Sequence, residues 1–318
     1  MNNLTPDSNP TIPSTLLITG ATGFVGPGIL RALGRVEGHS PSGPFAEMQL
    51  RSLERNPERP IDGVESMIGD VTDPGSLPGA LDGVDTVVHL VGIIEETGGA
   101  TFDSVIRQGT ENMLQAASRA GVKHFVFMSA LGAHDNPEFP YHQAKFKAEQ
   151  AVKASGLPYT IFRPSVIFGE GDGFITVLAG LVKSFPVIPV VGSGQSKFQP
   201  IQLDDVGACY AHAVSHPAES AGQTYELGGG KPYTYQEMLD VVAGELGKKK
   251  PKVHMPIGIM KFVVTLTRAL PRALRPPVTL EQLKMLALDN SPADSATPRL
   301  IGHNPVALED GIAYIRNL

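Results

Sequence analysis

The chain has 318 residues, 42% of them apolar and 18% charged, with a formal charge of -6 and a pI near 5.8. Such a content buries a large core in one domain or two closely joined ones, and it excludes a largely disordered chain. The acidic balance offers no footing for nucleic acid, and the single cysteine, Cys209, excludes an intramolecular disulfide and a cysteine-built zinc site.

Residues 1–13 are polar and Pro-rich, lack an apolar signal core, and read as a flexible N-terminal tail. "TLLITG" then opens an alternation of apolar runs and helical patterns that continues through "GPGILRALGRV", "EMQLRS", "DTVVHLVG", "GTENMLQAASRAG", "HFVFMSA", "AKFKAEQAVKASG" and "YTIFRPS". This order predicts an α/β fold over 14–165: a Rossmann-like doubly wound parallel sheet with helices on both faces. Between the first helix and the second strand, "RVEGHSPSGP" reads as a long loop. After Pro164 the alternation stops and Gly and Pro become frequent. Residues 166–200 and 229–318 are therefore expected to form a smaller C-terminal lobe, with 201–228 returning to the first domain. No segment is long and apolar enough to span a bilayer, which makes the expected location cytoplasmic, with peripheral membrane contact left open.

The first candidate site is "TGATGFVG", between an apolar strand and a helix. A backbone approaches a pyrophosphate closely only where side chains are absent, and Gly20, Gly23 and Gly26 supply that opening. Thr22, Phe24 and Val25 belong to the same loop. The spacing is G-x-x-G-x-x-G, so a dinucleotide, NAD or NADP, is the expected cofactor. The second strand is read as "EMQL", ending at Arg51, with Arg55 and Arg59 behind it. Arginine there compensates a 2′-phosphate, which favours NADPH, with NAD as the alternative. "GDVTD" places Asp70 and Val71 near an adenine. "HLVG" makes Leu90, Val91 and Gly92 a small-residue passage past the cofactor, and Pro164 closes the expected contacts.

The second candidate is Tyr141-His142-Gln143-Ala144-Lys145. Residues four apart share a helix face, so Tyr141 and Lys145 can serve one cofactor, the lysine lowering the phenol's pKa and holding the ribose. His142 is expected to face away from Tyr141. The histidines show no ligand spacing with cysteines or carboxylates, so no metal site is expected.

Read together, "TGATGFVG", "GDVTD", "VVHLVG", "GTENMLQAA", "YHQAK", "FRPSVIFGEGDG" and "FQPIQLDDVG" resemble the extended branch of the short-chain dehydrogenase/reductase superfamily. "HLVGIIEE", "FRPSVIFG" and "PPVTLEQLKML" are most similar to its atypical group, which contains the dehydrogenase-like accessory subunit of respiratory complex I. The resemblance implies a Rossmann domain with a C-terminal substrate lobe, and hydride transfer assisted by Tyr141 and Lys145. It also implies two departures. Ala130 stands where the substrate-polarising hydroxyl belongs, leaving Ser129 to reach in from the adjacent position, and Ile106 stands where the tetrad asparagine belongs.

The remaining features are read in structural terms. Asp204 and Asp205 organise a helix start, Arg163 supports a strand end, and Lys248-Lys249-Lys250 is a solvated basic loop. Met255 to Leu274 mixes large apolar with basic residues and suits either packing within the lobe or contact with lipid. The expected function is an NAD(P)H-dependent oxidoreductase or epimerase-like protein acting on a small molecule of lipophilic or quinone-related character. The rival is a nucleotide-holding scaffold or assembly factor for a respiratory or quinone-related complex.

Overall fold

The computed structural model describes residues 10–57, 60–256, 258 and 280–318. Residues 1–9 of the expected tail, Arg59, and nearly all of the apolar and basic stretch from 257 to 279, including Lys261, Arg268, Arg272 and Arg275, lie outside the described residues. The chain divides into two compact units, one of residues 1–129, 144–162 and 206–225, the other of 130–143, 163–205 and 226–318. The sequence-derived limits at 165, 201 and 228 compare with 162, 206 and 225 here, and residues 130–143 group with the second unit.

In the first unit the run Thr15–Thr19 forms β1 and is buried at every position, as a strand covered on both faces requires. It leads into α1 (Gly26–Ala32), whose second residue is Pro27, tolerated because the first turn needs no intrahelical N–H. Then follow β2 (Gln49–Glu54), β3 (Glu65–Ile68), β4 (Thr86–His89), α2 (Gly109–Ala120), β5 (His124–Met128), α3 (Pro140–Ala154) and β6 (Tyr159–Pro164). The helix α2 buries Met113, Leu114 and Ala117 and stops at Gly121, which takes the left-handed conformation that ends helices.

The chain continues through β7 (Ile167–Phe168), α4 (Ile175–Ser184), β8 (Ile188–Val191), β9 (Lys197–Phe198), β10 (Ile201–Gln202), α5 (Leu203–Ser215), α6 (Pro217–Ser220) and β11 (Gln223–Leu227). The seven-stranded sheet has the order β11-β6-β5-β4-β1-β2-β3, and every pairing from β3 to β6 is parallel. The chain moves outward from β1 to β3 and then returns to β4 on the other side of β1. The carboxyl ends of β1 and β4 therefore flank the topological switch point, where doubly wound sheets take their ligands. The return of α5 to this unit is tight: a Cβ on Gly207 would lie 2.3 Å from the Gly28 carbonyl oxygen.

The second unit adds β12 (Tyr233–Thr234), α7 (Tyr235–Glu245) and β13 (Lys252–Met255), with short helices at Leu280–Met285, Thr297–Ile301 and Leu308–Gly311. Three small ladders brace it: β7 with β10, β9 with β12, and β8 with β13. Its core gathers Phe168, Leu178, Val182, Phe198, Met238 and Ile312. A full capping box, Thr234 with Glu237, starts α7.

Candidate functional site

The glycine loop begins where β1 ends. Gly20 has φ +78°, a left-handed conformation that a side chain would strain, and the Gly23 N–H donates to its carbonyl at 3.0 Å. A Cβ at Gly26 would sit 1.9 Å from the Ala21 carbonyl oxygen, so α1 can start against the loop only with glycine there. Thr22 and Gly23 are exposed, Phe24 is half-buried and Val25 is buried. The loop thus presents bare backbone at the switch point. Leu90 and Val91 back it, since the space beside Gly20 is bounded by the Leu90 side chain and the Val91 N–H.

Behind the loop runs a buried chain of hydrogen bonds that sequence reasoning did not find. The Thr110 hydroxyl donates to the Ile106 carbonyl at 2.6 Å. Its oxygen must then accept from His89 Nε2–H at 3.2 Å, and His89 Nδ1 in turn accepts from the Thr19 hydroxyl at 2.7 Å. Burial, with Lys145 as a second cause, holds His89 down at about 3, so the ring stays neutral in this one tautomer. The residue before the glycine loop is thereby tied to α2. Ile106 itself is fully buried in a π-helical turn, Asp103–Gln108, so the asparagine position of the resemblance holds a core side chain.

The structure corrects the strand that was read as ending at Arg51. β2 runs on to Glu54, and its register pairs Arg51 with Leu17 and Leu53 with Thr19, so Glu54 comes level with Gly20 and Arg55 with the next residue of the glycine loop, Ala21. The Arg51 guanidinium is engaged elsewhere, donating to Glu65 at 2.9 Å and to the Asp82 carbonyl at 2.6 Å. Glu54 is buried and accepts from the Ser52 hydroxyl at 2.7 Å, whereas Arg55 is exposed. Asp70 accepts from the Thr72 N–H and hydroxyl, both at 2.8 Å, and so shapes its own turn. Val71 is buried, and its carbonyl accepts from Asn112 at 2.8 Å.

Lys145, on the second turn of α3, is almost wholly buried and donates from Nζ to the Met128 carbonyl at 2.6 Å, with the ammonium 5.2 Å from the Phe127 ring centre. A Cβ on Gly92 would lie 3.4 Å from Nζ, so the ammonium stands at the ends of both β4 and β5. Burial lowers its pKa to about 8, with Glu149 acting in the opposite direction. Next in the chain, the Ser129 N–H donates to the Phe162 carbonyl at 2.7 Å, while its hydroxyl is buried without a hydrogen-bond partner among the described residues. The Ser129 hydroxyl thus keeps hydrogen-bonding capacity that its surroundings do not use.

In the second unit, Tyr141 opens α3, and burial pushes its phenol up to about 12. His142 does not turn clear of it: the two rings lie 5.6 Å apart, and His134 stands 5.7 Å from His142. Burial, then His134, lowers His142 to about 4, so it packs as a neutral ring. Pro164 is buried at the end of β6, and its carbonyl accepts from the Leu131 N–H at 3.0 Å. Among the described residues no group of three or more His, Cys, Asp and Glu is placed to hold a metal ion, and no helix is long and apolar enough to cross a membrane.

The description "NmrA-like family" matches residues 13–279. The mitochondrial NADH dehydrogenase [ubiquinone] 1 alpha subcomplex subunit 9 of Arabidopsis thaliana is 28% identical over 291 residues, spanning 88% of this chain and 71% of that one. A 3 beta-hydroxysteroid dehydrogenase/Delta 5-->4-isomerase of Mycobacterium tuberculosis is 28% identical over 338 residues, spanning 92% and 86%. Among solved structures, a triphenylmethane reductase of Citrobacter sp. superposes with a TM-score of 0.76 at 21% identity, covering 96% of this chain and all of that one.

Proposed function

The chain belongs to the NmrA-like family, within the atypical and extended short-chain dehydrogenases/reductases, and from that premise we propose that it binds a nicotinamide dinucleotide and reduces a small, lipophilic substrate. The observation that carries this reading is the Lys145 ammonium, held by the Met128 carbonyl beneath Gly92 at the switch-point end of the sheet. The loop from Gly20 to Gly26 would cradle the pyrophosphate, with Leu90 to Gly92 alongside, and Lys145 would hold the ribose of the nicotinamide half. The bound nicotinamide would supply the hydride. Tyr141, its phenol kept protonated by burial, would donate a proton to the substrate oxygen as general acid. The Ser129 hydroxyl, free to donate, would orient that oxygen.

Arg55 supports a preference for NADPH, since it is the exposed arginine level with the glycine loop. The lipophilic character of the substrate follows the steroid named for the Mycobacterium tuberculosis relative, and an enzyme drawing on such a substrate would work in peripheral contact with a membrane. A second reading, a nucleotide-holding scaffold, is favoured by Ile106 packed in the core at the asparagine position and by Ala130, and it follows the complex I subunit among the relatives.

Calorimetric titration with NADPH and turnover assays on apolar ketones test the choice. Tyr141→Phe should keep the NADPH affinity and eliminate turnover. Turnover surviving that substitution would refute the acid role, and biological complementation surviving both Tyr141→Phe and Lys145→Met would favour the scaffold.

A further inference from the structure

Three of the seven large apolar side chains exposed among the described residues fall on one edge of the second unit: Phe185 at 49%, Val187 at 37% and Val253 at 50%. The strands β8 and β13 run parallel with Lys252 opposite Ile188 and Val253 opposite Pro189. The loops that precede them, 185–187 and 246–251, therefore emerge side by side. Lys250 ties these loops together, donating from Nζ to the Val182 and Phe185 carbonyls at 2.6 and 2.7 Å. This hydrogen bonding occupies the Phe185 backbone and leaves its ring outward. The second loop brings Lys248 and Lys249, both exposed, to the rim of a depression of about 530 Å³ that Asp240, Gly244 and Pro251 also line. The Asp240 carboxylate is taken up by Lys252 at 2.5 Å.

We propose that this edge is a docking surface for an anionic lipid bilayer, with Phe185, Val187 and Val253 entering the acyl boundary and Lys248 and Lys249 meeting lipid phosphates. The proposal gives a place to the membrane contact inferred above and rests on that reading only for its purpose. Charge complementarity selects the partner: Lys248 and Lys249 are exposed, and the one carboxylate lining the depression among the described residues, Asp240, is paired with Lys252, so the edge presents positive charge to an anionic surface. The shape argues the same way. Phe185 and Val187 project from the loop before β8, and Val253 from the neighbouring strand β13; three separate side chains beside lysines suit shallow insertion next to headgroups, whereas stable protein partners require a contiguous, well-packed interface.

Flotation of the whole protein with phosphatidylcholine vesicles, with and without phosphatidylserine, tests this. Binding should require phosphatidylserine and weaken at high salt. Lys248→Gln with Lys249→Gln should weaken it about thirty-fold, at roughly fivefold per lysine. Phe185→Ser should weaken the part that survives high salt. The NADPH-induced thermal shift should be unchanged in all of these variants, which separates the two readings: a wild-type protein that floats without binding NADPH refutes only the oxidoreductase. Wild-type binding independent of phosphatidylserine, or a double variant that floats like wild type, overturns the docking surface. Retention on soluble polyglutamate without flotation also overturns it and assigns the edge to an acidic protein partner.

Discussion

Replacing Lys145 with methionine should change how stability depends on pH. Burial lowers the folded pKa of this lysine from 10.5 to about 8. The folded state therefore disfavours the ammonium, and below pH 8 it carries a desolvation cost of about 3 kcal/mol, at about 1.4 kcal/mol per pKa unit. As pH rises above 8 the folded lysine gives up its proton before the unfolded one does, and the cost declines until 10.5 is passed. Between pH 7 and pH 9.5 the nucleotide-free wild type should gain about 2 kcal/mol relative to Lys145→Met. Urea unfolding of both proteins at the two pH values, followed by circular dichroism, measures the difference, and titrating groups that do not interact with Lys145 cancel in the comparison. Stability profiles that run parallel would show that the ammonium is not desolvated and that the site is wetter than its geometry states. The ammonium is also the form proposed to hold the ribose, so NADPH affinity should fall as pH rises through 8 in wild type and stay level in the variant.

Gly26→Ala puts a methyl group 1.9 Å from a backbone oxygen; it should destabilise the fold by about 1–3 kcal/mol and weaken NADPH binding, as thermal melts and calorimetry would read. Arg55→Gln should weaken NADPH about tenfold to a hundredfold and leave NADH unchanged, since hydrogen bonds to charged groups contribute about 1.5–3 kcal/mol. Arg51→Gln should leave the NADPH/NADH ratio as it is, because that guanidinium already binds Glu65 and Asp82; a changed ratio would show that Arg51 reaches the cofactor. Glu309 is opposed by burial, but hydrogen bonds from Lys231 and Tyr233 outweigh it and lower its pKa to about 2. The stability it contributes is complete above the ordinary carboxylate pKa and is lost as pH falls toward 2, so melting temperatures of wild type and Glu309→Gln should differ at pH 7 and converge near pH 2.

Much of the fold, and the local backbone around the candidate site, was legible in the sequence. Period-two and period-3.6 patterns are local properties, and the alternation from "TLLITG" to "YTIFRPS" predicted the doubly wound parallel sheet. Gly20, Gly23 and Gly26 were legible because a positive φ and a missing Cβ are needed wherever a strand turns sharply into a packed helix. Tyr141 and Lys145 were legible because one turn separates them on α3. What the chain alone could not tell depends on partners distant in sequence. Arg51 was misplaced because its partners, Glu65 and Asp82, lie 14 and 31 residues on, and only the sheet register carries β2 to Glu54. The tautomer of His89 depends on Thr19, 70 residues back, and on Thr110. The basic, apolar edge exists because β8 and β13, some sixty residues apart, lie side by side. Spacing along the chain sets which backbone conformations and helix faces are available; desolvation, register and hydrogen-bond direction arise only when distant segments exclude water from one another, and those decide which arginine is free, which lysine is strained and which surface is left to meet a partner.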